Sequence, residues 1–543
     1  MRSRLQQVLR TAGKPMAVLT RRLLHTLGSG AYAVRMAAAY KRNRYEKVAA
    51  LGDRAAARFD PLASTEALRS RAAMQMGQAV NALEYATRGA MASPKSLSAR
   101  GNVLGLTGRV LETDPRWRPV VPSSMAAPTE PDSATVLYVA KESMPWQNNG
   151  YCTRSHETLL AIAKTGHTPI AVTMPGYPEK GTAASSTVEG IEYRHLIPGS
   201  AAVLKLPYDN YLQLSTQLFA AQMQKIRPGL IHVGSGHRGY ETALMGAALS
   251  RWANVPWIYE VRSFFETTWT ANERYMESSE YFERRLRSET RAMKEADLVI
   301  TLSGPMRDVI IDVHGIAPER VVQLPNAVDL SRFEARERDA QLRTKLGLDG
   351  CFVLGYVSNL DHFREGQEVL LKGVALLRKR GVNAAALLVG DGRRRAELES
   401  LARKLGLGKH AVFTGNVPFD EVDDYYAQID LFVVPRVNER AGRLVSPMKP
   451  FEAMAMGVPI MVSDLPALLE IAEDGRCAVF RHEDPAHLAD VAAALHADPS
   501  ARDSLVARAR AWVTTERTWD ANAAVLADAY DRARANFARR GGM

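Results

Sequence analysis

The chain has 543 residues, of which 46% are hydrophobic and 24% are charged, a balance that is typical of globular proteins and excludes a disordered or collagen-like chain. This length predicts about three domains. The formal net charge is +11, but the first 47 residues contain eleven Lys and Arg and a single acid, Glu46. The excess charge therefore belongs to a basic N-terminal arm, and the rest of the chain does not have the charge of a nucleic-acid binder.

Cysteine usage and hydropathy indicate the compartment. Cys152, Cys351 and Cys477 lie far apart without a CxxC pair, which excludes a disulfide framework and a thiolate zinc site and favours a reducing environment. No apolar run reaches the roughly 18 residues that span a bilayer, and the Arg-rich N-terminus lacks the apolar core of a secretory signal. We therefore expect a cytoplasmic protein, free or peripheral on the inner membrane face; a transit peptide is the alternative interpretation of the arm.

The first 120 residues are predicted to form a basic, helical extension. Between residues 5 and 24, apolar stripes alternate with arginines; this pattern suits either an anionic membrane surface, contacted through residues 1–47, or packing on the domain behind it. Short amphipathic helices between 45 and 114 are similar to tetratricopeptide hairpins, which could bind a protein partner. A Pro- and Ser-rich stretch follows, and we place a linker at 121–133.

From residue 134 onward, short apolar strands alternate with helices, which predicts an α/β fold with two successive Rossmann-like, doubly wound domains. The first domain spans 134–325 and the second 326–505, and helices follow at 506–543. The predicted strands are 135–140, 168–174, 230–233, 257–261 and 298–303 in the first domain and 351–358, 385–392, 411–415, 431–435 and 459–464 in the second. Such sheets bind ligands beyond the carboxyl ends of their strands, so the two domains predict a cleft between them.

The segment SPMKPFEAMAMG (446–457) is the clearest candidate for a site. Ser446 is a suitable N-cap, and the prolines after it fit a first helical turn, so we predict a helix N-terminus that attracts an anion. Glu452 lies one turn further on, where it could accept hydrogen bonds from sugar hydroxyls. The cations around this helix end match a diphosphate, although a solvated basic loop is the plain alternative; they are Arg436, Arg440, Arg443 and Lys449.

Several segments resemble the large retaining GT-B glycosyltransferase family 4. The donor-side motifs are SPMKPFEAMAMGVPIMVSDLPALLEIAEDG, LLVGDGRRRAELESLARKLGL and VFTGNVPFDEVDDYYAQIDLFVVP. ADLVITLSGPMRDVIIDVHGIAPERVVQLPNAVDLSRF resembles the link between the two domains, and PWQNNGYCTRSHETLLAIAKTGH and PWIYEVRSFFE resemble acceptor-domain motifs. The likeness covers about residues 135–535, in the expected order.

This resemblance implies a glycosyltransferase that moves a sugar, with retention, from a UDP- or GDP-sugar to a glycan or lipid-linked acceptor in polysaccharide or glycoconjugate synthesis. The C-terminal domain would hold the donor and the N-terminal domain the acceptor. The last helix, at 517–538, would cross back toward the N-terminal domain. Neither a metal nor a cofactor is expected, because the nucleotide-sugar is itself a substrate.

The sequence also departs from the family pattern. Of the two glutamates that the family separates by seven residues, Glu452 matches the second, which contacts the ribose, whereas the first falls on Leu444. Arg443 stands beside that position, and Glu439 could reach in from the loop. The usual basic pair after the first strand of this domain falls on Asn359 and Glu365, leaving Arg364 nearby. We therefore assign the diphosphate to Lys449 and to the arginines at 436, 440 and 443, and we include Lys449, Arg443, Glu439 and His237 as catalytic candidates.

Other candidates complete the two predicted subsites. On the donor side, Gly150 would let the backbone approach a phosphate or sugar next to Asn149, Asp391 would shape the nucleotide pocket, and the resemblance places a backbone contact to the base at Val417. Where relatives have two histidines one residue apart, this chain has His232 and Gly234, so His237 is the candidate to contact the reacting sugar. The remaining candidates are Gly390 on the donor side and, on the acceptor side, Arg238, Glu260, Arg262 and Glu266, of which the last three could instead pair with each other.

Two other functions match parts of the sequence. GSGHRG (234–239), followed by Glu260, matches the wording of a dinucleotide-binding fingerprint, but it does not lie on the first strand of its unit, so NAD binding is disfavoured. The sequence contains no Ser-His-Asp order, HExxH motif or Walker loop. The alternative to an enzyme is a non-catalytic GT-B-like scaffold or partner-binding subunit, which the missing first glutamate would fit.

Overall fold

The computed structural model describes residues 28–541 apart from 148, 271 and 419, so the apolar stripe predicted at 5–24 lies outside the described residues. The chain divides into two compact units. The first comprises the residues up to Ala126 together with Ser200–Ala220 and Phe265–Ala292, and the second comprises Ala127–Gly199, Ala221–Phe264 and the chain from Met293 onward. The domain boundaries drawn from the sequence stay predictions.

Helices make up the described N-terminal part of the chain, from residue 28 to residue 112. They are α1 (28–40), α2 (Tyr45–Ala56), α3 (Ala63–Gln75), α4 (Ala79–Ala92) and α5 (Leu97–Glu112). Small buried side chains such as Ala72, Ala73, Ala82 and Ala86 let consecutive helices pack closely around two small cores. Residues 113–131 form neither helix nor strand, in agreement with their Pro- and Ser-rich composition.

Strands and helices then alternate, as predicted. The first series is β1 (Asp132–Ala140), α6 (Gly150–Lys164), β2 (Thr168–Thr173), β3 (Ser185–Val188), β4 (Ile191–His195), α7 (Tyr208–Ile226), β5 (Pro228–Gly234), α8 (Glu241–Ala253), β6 (Trp257–Val261), α9 (Glu273–Met276), α10 (Glu280–Glu295), β7 (Leu298–Thr301), α11 (Gly304–Asp312) and β8 (Val321–Gln323). The second series is α12 (Ala340–Lys345), β9 (Phe352–Val357), α13 (Gln367–Lys379), β10 (Ala384–Val389), α14 (Arg395–Lys404), β11 (Ala411–Phe413), α15 (Val422–Tyr426), β12 (Leu431–Val434), α16 (Arg440–Leu444), α17 (Lys449–Ala455), β13 (Ile460–Ser463), α18 (Pro466–Ala472) and β14 (Ala478–Phe480). The chain ends with α19 (Pro485–Ala497), α20 (Pro499–Glu516) and α21 (Trp519–Gly541).

These strands build two sheets, and both belong to the second unit. The eight-stranded sheet has the order β3-β4-β2-β1-β5-β6-β7-β8, and the six-stranded sheet has the order β11-β10-β9-β12-β13-β14. Neighbouring strands run parallel except for the β3–β4 pair. Central strands such as β9 and β10 are buried along their whole length, which explains their continuous apolar sequences. The predicted α/β fold with two doubly wound sheets is confirmed.

Four short strands were not predicted: β3, β4, β8 and β14. The β3–β4 hairpin turns at Glu189 and Gly190, which both have positive φ, as a two-residue hairpin turn requires. Exposed and partly buried residues alternate in β3, and buried and partly buried residues alternate in β4, so the hairpin contains no apolar run. The other two strands are only three residues long, too short to produce a periodic signal.

The last two helices pack on different sheets. Leu505 and Trp512 of α20 belong to the core of the six-stranded sheet. Leu526 and Tyr530 of α21 share a core with Tyr138 of the eight-stranded sheet. The end of the chain therefore crosses from one sheet to the other. Within the described part of the chain, no helix is long and apolar enough to cross a membrane.

Candidate functional site

Most of the donor-side candidates lie in the segment that follows β12. We call residues 436–449 the cationic loop; it leads from the end of β12 through α16 to the start of α17. It begins at the carboxyl end of an interior strand, where parallel sheets bind ligands. Glu439 shapes the loop, because its carboxylate accepts a hydrogen bond from the Gly442 N–H at 2.7 Å and caps α16.

A buried ion pair holds the first residue of the cationic loop. The Arg436 guanidinium donates from Nε and Nη2 to the two carboxylate oxygens of Glu365 at 3.2 and 3.3 Å. Its Nη1 donates to the Val445 carbonyl at 2.7 Å, and the Tyr356 hydroxyl donates to Glu365 at 2.5 Å. Burial alone would raise the pKa of Glu365, but the Arg436 charge and the Tyr356 hydrogen bond lower it.

This pairing corrects the role predicted for Arg436. Its charge is neutralised by Glu365 inside the protein, and its remaining donor binds the Val445 carbonyl just after α16. We therefore assign Arg436 to positioning the cationic loop rather than to the diphosphate. Glu365 occupies the position where the resemblance places a lysine. In this chain that position therefore supplies a carboxylate, which pairs with Arg436 inside the protein.

Lys449, the last residue of the cationic loop, forms a second ion pair with Glu452 of α17. The Lys449 ammonium lies 3.1 Å from each carboxylate oxygen of Glu452, and the Tyr426 hydroxyl donates to the same carboxylate at 2.7 Å. Burial and the adjacent Glu452 raise the pKa of Tyr426 well above its usual value, so its hydroxyl remains a donor. Glu452 is buried and Lys449 is partly exposed, so the lysine is the member of the pair that a ligand can reach.

The prediction that Ser446 caps the helix is wrong. Helix α17 begins at Lys449, and its N-cap is Met448, which makes no side-chain capping bond. Ser446 is buried, and its carbonyl instead accepts a hydrogen bond from the Asn326 amide at 2.7 Å. The prolines at 447 and 450 fit several starting points of a helix, which is why the sequence alone misplaced its first residue.

The other cations of the site are less buried. Arg440 and Arg443 lie three residues apart on α16; the Arg440 guanidinium lies 5.2 Å from the centre of the Phe264 ring, and Arg443 donates to the Asn438 side chain at 3.1 Å. Arg364, which precedes Glu365, approaches its carboxylate at 3.5 Å. The contact of Arg364 with Glu365 involves a partly exposed guanidinium, and exposed salt bridges are weak, so Arg364 can turn toward an anion.

Glycines let the backbone segments at this end of the six-stranded sheet approach closely. Gly390 has φ 135°, and a Cβ there would lie 2.1 Å from the Ser358 carbonyl oxygen. At Gly366, φ is 71° and a Cβ would lie 1.8 Å from the Pro435 carbonyl oxygen. The loops after β9, β10 and β12 therefore meet through their main chains, and larger residues would separate them. Sequence analysis singled out Gly390 but missed Gly366.

Asp391 and Val417 lie in the loops that follow β10 and β11. The Asp391 carboxylate accepts a hydrogen bond from the Gly392 N–H at 2.8 Å and lies 3.5 Å from the Arg395 guanidinium. Val417 is partly buried and packs on the core of the six-stranded sheet. Their predicted contacts with a nucleotide stay predictions.

The loop after β1 approaches the cationic loop. Asn149 caps α6 by accepting from the Cys152 N–H at 3.0 Å, and its amide donates to Glu142 at 3.2 Å. A Cβ at Gly150 would lie 3.9 Å from the Met448 sulfur. The backbone at Gly150 therefore lies near the end of the cationic loop, and the donor contacts predicted for Asn149 and Gly150 stay predictions.

Glu260 and Arg262 are not at a rim but in the core of the eight-stranded sheet. Glu260 is fully buried and pairs with both Arg154 and Arg262 at 2.8 Å. Burial alone would raise the pKa of Glu260, but the two guanidinium groups hold it well below its ordinary value. The prediction that these two residues face an acceptor is corrected to the alternative, that they pair with each other. Glu266 is also buried but belongs to the other compact unit.

His237 and Arg238 lie in the turn after β5. The His237 ring packs near Tyr177, with 5.2 Å between ring centres, and burial and Lys141 lower the pKa of His237. The Arg238 N–H donates to both carboxylate oxygens of Glu241 at 2.9 Å. A Cβ at Gly236 would lie 2.3 Å from that carboxylate. A protein carboxylate therefore fills the turn where the dinucleotide fingerprint would need to place a pyrophosphate.

Sequence analysis missed three residues that join the two sheets beside the site. Ser303 donates to the Leu444 carbonyl at 2.6 Å, and Asn326 donates to Ser446, as described above. Arg154 donates to the Asn326 side chain at 2.9 Å. The only available signal was their position in the segments that resemble the interdomain link and an acceptor motif. Among the described residues, no group of His, Cys, Asp or Glu is arranged to hold a metal ion.

Two known families match this part of the chain. Residues 149–327 match the family described as "Glycosyl transferase 4-like domain", and residues 351–498 match "Glycosyl transferases group 1". Together the two matches cover more than half of the chain, and they include the six-stranded sheet with the cationic loop and every strand of the eight-stranded sheet except β1.

Curated proteins with similar sequences are glycosyltransferases. The chain is 31% identical over 240 residues to the GDP-mannose-dependent alpha-(1-6)-phosphatidylinositol monomannoside mannosyltransferase of Mycobacterium tuberculosis, covering 43% of this chain and 61% of that protein. It is 30% identical over 236 residues to the D-inositol 3-phosphate glycosyltransferase 1 of Catenulispora acidiphila, covering 41% and 55%. The chain thus spans less than two thirds of the length of these relatives.

Solved structures with the same fold extend over both sheets. The sucrose-phosphate synthase of Thermosynechococcus elongatus superposes with a TM-score of 0.58 at 21% identity, covering 73% of this chain and 98% of that one. HepE of Anabaena in complex with UDP-glucose superposes with a TM-score of 0.55 at 17% identity, covering 73% and 99%. At these identities the likeness is one of fold.

Proposed function

We propose that this chain, which belongs to the group 1 glycosyltransferases of the GT-B fold, transfers a hexose from a nucleotide-sugar to an acceptor. One observation carries the proposal: the cationic loop lies at the carboxyl end of an interior strand, within the residues that match the family, and ends on the Lys449–Glu452 pair. Its residues can bind a diphosphate and a ribose side by side.

Each side chain of the site has a role in this proposal. Lys449 and Arg443 would contact the diphosphate, and Arg440 and Arg364 would add positive charge. When the donor binds, Lys449 would exchange its contact with Glu452 for a phosphate oxygen. Glu452, still held by Tyr426, would then accept hydrogen bonds from the ribose hydroxyls.

The chemistry requires stabilisation of a leaving group. As the bond between sugar and diphosphate breaks, negative charge grows on the diphosphate, and fixed cations stabilise it more than they stabilise the ground state. Main-chain packing at Gly366 and Gly390 and the Arg436–Glu365 pair would hold the loop in place, so little rearrangement is needed during reaction. Closure of the loops around the donor would exclude water, which otherwise hydrolyses it.

The position of the family's first glutamate remains without an acid. Glu439 is the replacement that we proposed, but its carboxylate already accepts a hydrogen bond from the Gly442 N–H. We propose that Glu439 contributes through its second oxygen and through the shape of α16. His237 would face the reacting sugar, and Arg238 the acceptor; Asn149, Gly150, Asp391 and Val417 would complete the pocket.

The names of the relatives suggest the substrates. One uses GDP-mannose and a phosphatidylinositol monomannoside, and another an inositol 3-phosphate acceptor. For this chain we propose a GDP- or UDP-hexose donor and a lipid-linked or polyol acceptor, used on the cytoplasmic side of the membrane. The alternative of a non-catalytic scaffold keeps its support from the missing glutamate.

Turnover distinguishes the enzyme from the scaffold. We expect the purified chain, incubated with GDP- and UDP-hexoses and a bacterial lipid extract, to release nucleoside diphosphate with one donor at a rate that the extract increases. A coupled assay for GDP and UDP measures this release, and omission of the extract measures hydrolysis. Absence of release with every donor, in a preparation whose folding is verified by circular dichroism, would favour the scaffold.

A further inference from the structure

The turn between α4 and α5 exposes apolar side chains to an unusual degree. Of all large apolar residues described as exposed, Leu97 and Met91 are the most exposed, with relative accessibilities of 82% and 77%. They flank the same short turn, and Leu104, at 56%, follows on α5. Single exposed leucines are common on proteins, but such a group marks an interaction surface.

Helix geometry places Leu97 and Leu104 on one face. They are seven residues apart, which is close to two helical turns. Between them lies Gly101, where a Cβ would meet no atom within 4 Å, so no neighbouring side chain covers the leucines. The opposite face of α5 carries Leu106, which packs with Ala82 and Ala86 in the core. This helix therefore has a second apolar face that the described chain leaves uncovered.

The stretch of sequence that contains this face carries charge of one sign. Residues 85–111 contain four cations and no acid. Two of the cations have partners within the unit: Arg88 pairs with Glu84, and Arg109 lies over the Tyr208 ring. The other two, Lys95 and Arg100, are exposed next to Leu97.

These residues together form what we call the hairpin patch: Met91, Lys95, Leu97, Arg100 and Leu104. We propose that the hairpin patch rests on an anionic lipid bilayer. Its apolar side chains stand out from a turn and do not line a groove, so they suit insertion among headgroups better than a pocket for a peptide. Lipid phosphates would neutralise Lys95 and Arg100.

This inference concerns residues outside the two ranges that match known families, and it does not depend on sugar transfer. It is also separate from the contact that the sequence suggested for residues 1–47. If the acceptor is lipid-linked, the hairpin patch would keep the protein at the surface where that acceptor lies.

A fluorescent label at the patch tests the proposal in the full-length chain. The natural cysteines are buried, so a Leu97→Cys variant can be labelled selectively with an environment-sensitive dye. We expect a blue shift of its emission with phosphatidylcholine vesicles containing about 30% phosphatidylglycerol, and little shift with phosphatidylcholine alone. Unchanged emission under conditions where the protein co-sediments with the anionic vesicles would overturn the proposal and assign binding to another segment.

Unlabelled variants give the second measurement. We expect Leu97→Gln/Leu104→Gln and Lys95→Gln/Arg100→Gln each to weaken binding to the anionic vesicles by roughly tenfold, with unchanged circular dichroism. Val313→Gln, which removes an apolar residue of 58% accessibility elsewhere on the chain, is the matched control and should bind like the wild type. Equal binding by the Leu97/Leu104 variant would contradict the proposal, as would a wild-type dimer in ultracentrifugation that this variant abolishes, because the patch would then be covered by a second copy.

Discussion

Replacing Lys449 with alanine is expected to lower kcat/KM for release of nucleoside diphosphate by about 10²–10³-fold, the usual effect of removing one preorganised group that stabilises charge in the transition state. The lysine is partly exposed, and without it the buried Glu452 keeps its hydrogen bond from Tyr426, so the melting temperature should fall less than it does when Arg436 is replaced. Steady-state kinetics with the preferred donor measures the effect.

Two controls sharpen this experiment. Lys449→Arg keeps the charge and should retain more activity than Lys449→Ala, while Lys404→Ala removes an exposed lysine from α14 and should have wild-type kinetics. A kcat/KM of Lys449→Ala within threefold of the wild type would remove Lys449 from the proposed diphosphate site.

Replacing Arg436 with methionine is expected to destabilise the protein by about 3–5 kcal/mol, because it leaves the buried Glu365 carboxylate without its partner. Without the guanidinium, burial would raise the pKa of Glu365 above its value in the unfolded chain. Stability from that group would then be present at low pH and lost as the pH rises, so the defect should be smaller at pH 5 than at pH 8. Calorimetric melting at both pH values measures it.

A double replacement distinguishes the effect of the unpaired charge on stability from the effect of losing the arginine side chain itself. Glu365→Gln/Arg436→Met removes both charges and should recover a large part of the loss. Arg393→Met breaks an exposed pair with Asp361 at 3.4 Å and should cost at most about 1 kcal/mol. If Arg436→Met melted like Arg393→Met, the pair would not hold the cationic loop.

Much of the fold could be predicted because the central strands are buried on both faces. Strands such as β9, β10 and β12 are runs of apolar residues between turns, and such runs are visible without any knowledge of tertiary contacts. The β3–β4 hairpin lies at the edge of its sheet; β3 is mostly polar and β4 alternates apolar with polar residues, so the same signal was absent. The exact start of α17 could not be predicted, because prolines 447 and 450 fit several starting points, and the bond from Asn326 to the Ser446 carbonyl joins residues 120 positions apart.

The site was predictable in its composition but not in its pairing. The sequence placed four cations near α17, and the structure keeps them in one loop. The sequence alone could not show that Arg436 is neutralised by Glu365, which lies 71 residues earlier in the chain. Glu260 and Arg262, two residues apart on one side of a strand, could have been predicted to pair, but their partner Arg154 comes from α6. Long-range charge pairing therefore decides which of the candidate residues stay available to a ligand.

The central claim is that the cationic loop binds a diphosphate, and calorimetric titration tests it most directly. We predict that GDP or UDP binds at least about 100-fold more tightly than the corresponding nucleoside, a difference of about 2.7 kcal/mol, and that Lys449→Ala loses most of this difference. If guanosine and uridine bound as tightly as their diphosphates, or if Lys449→Ala bound them all like the wild type, the account would be contradicted.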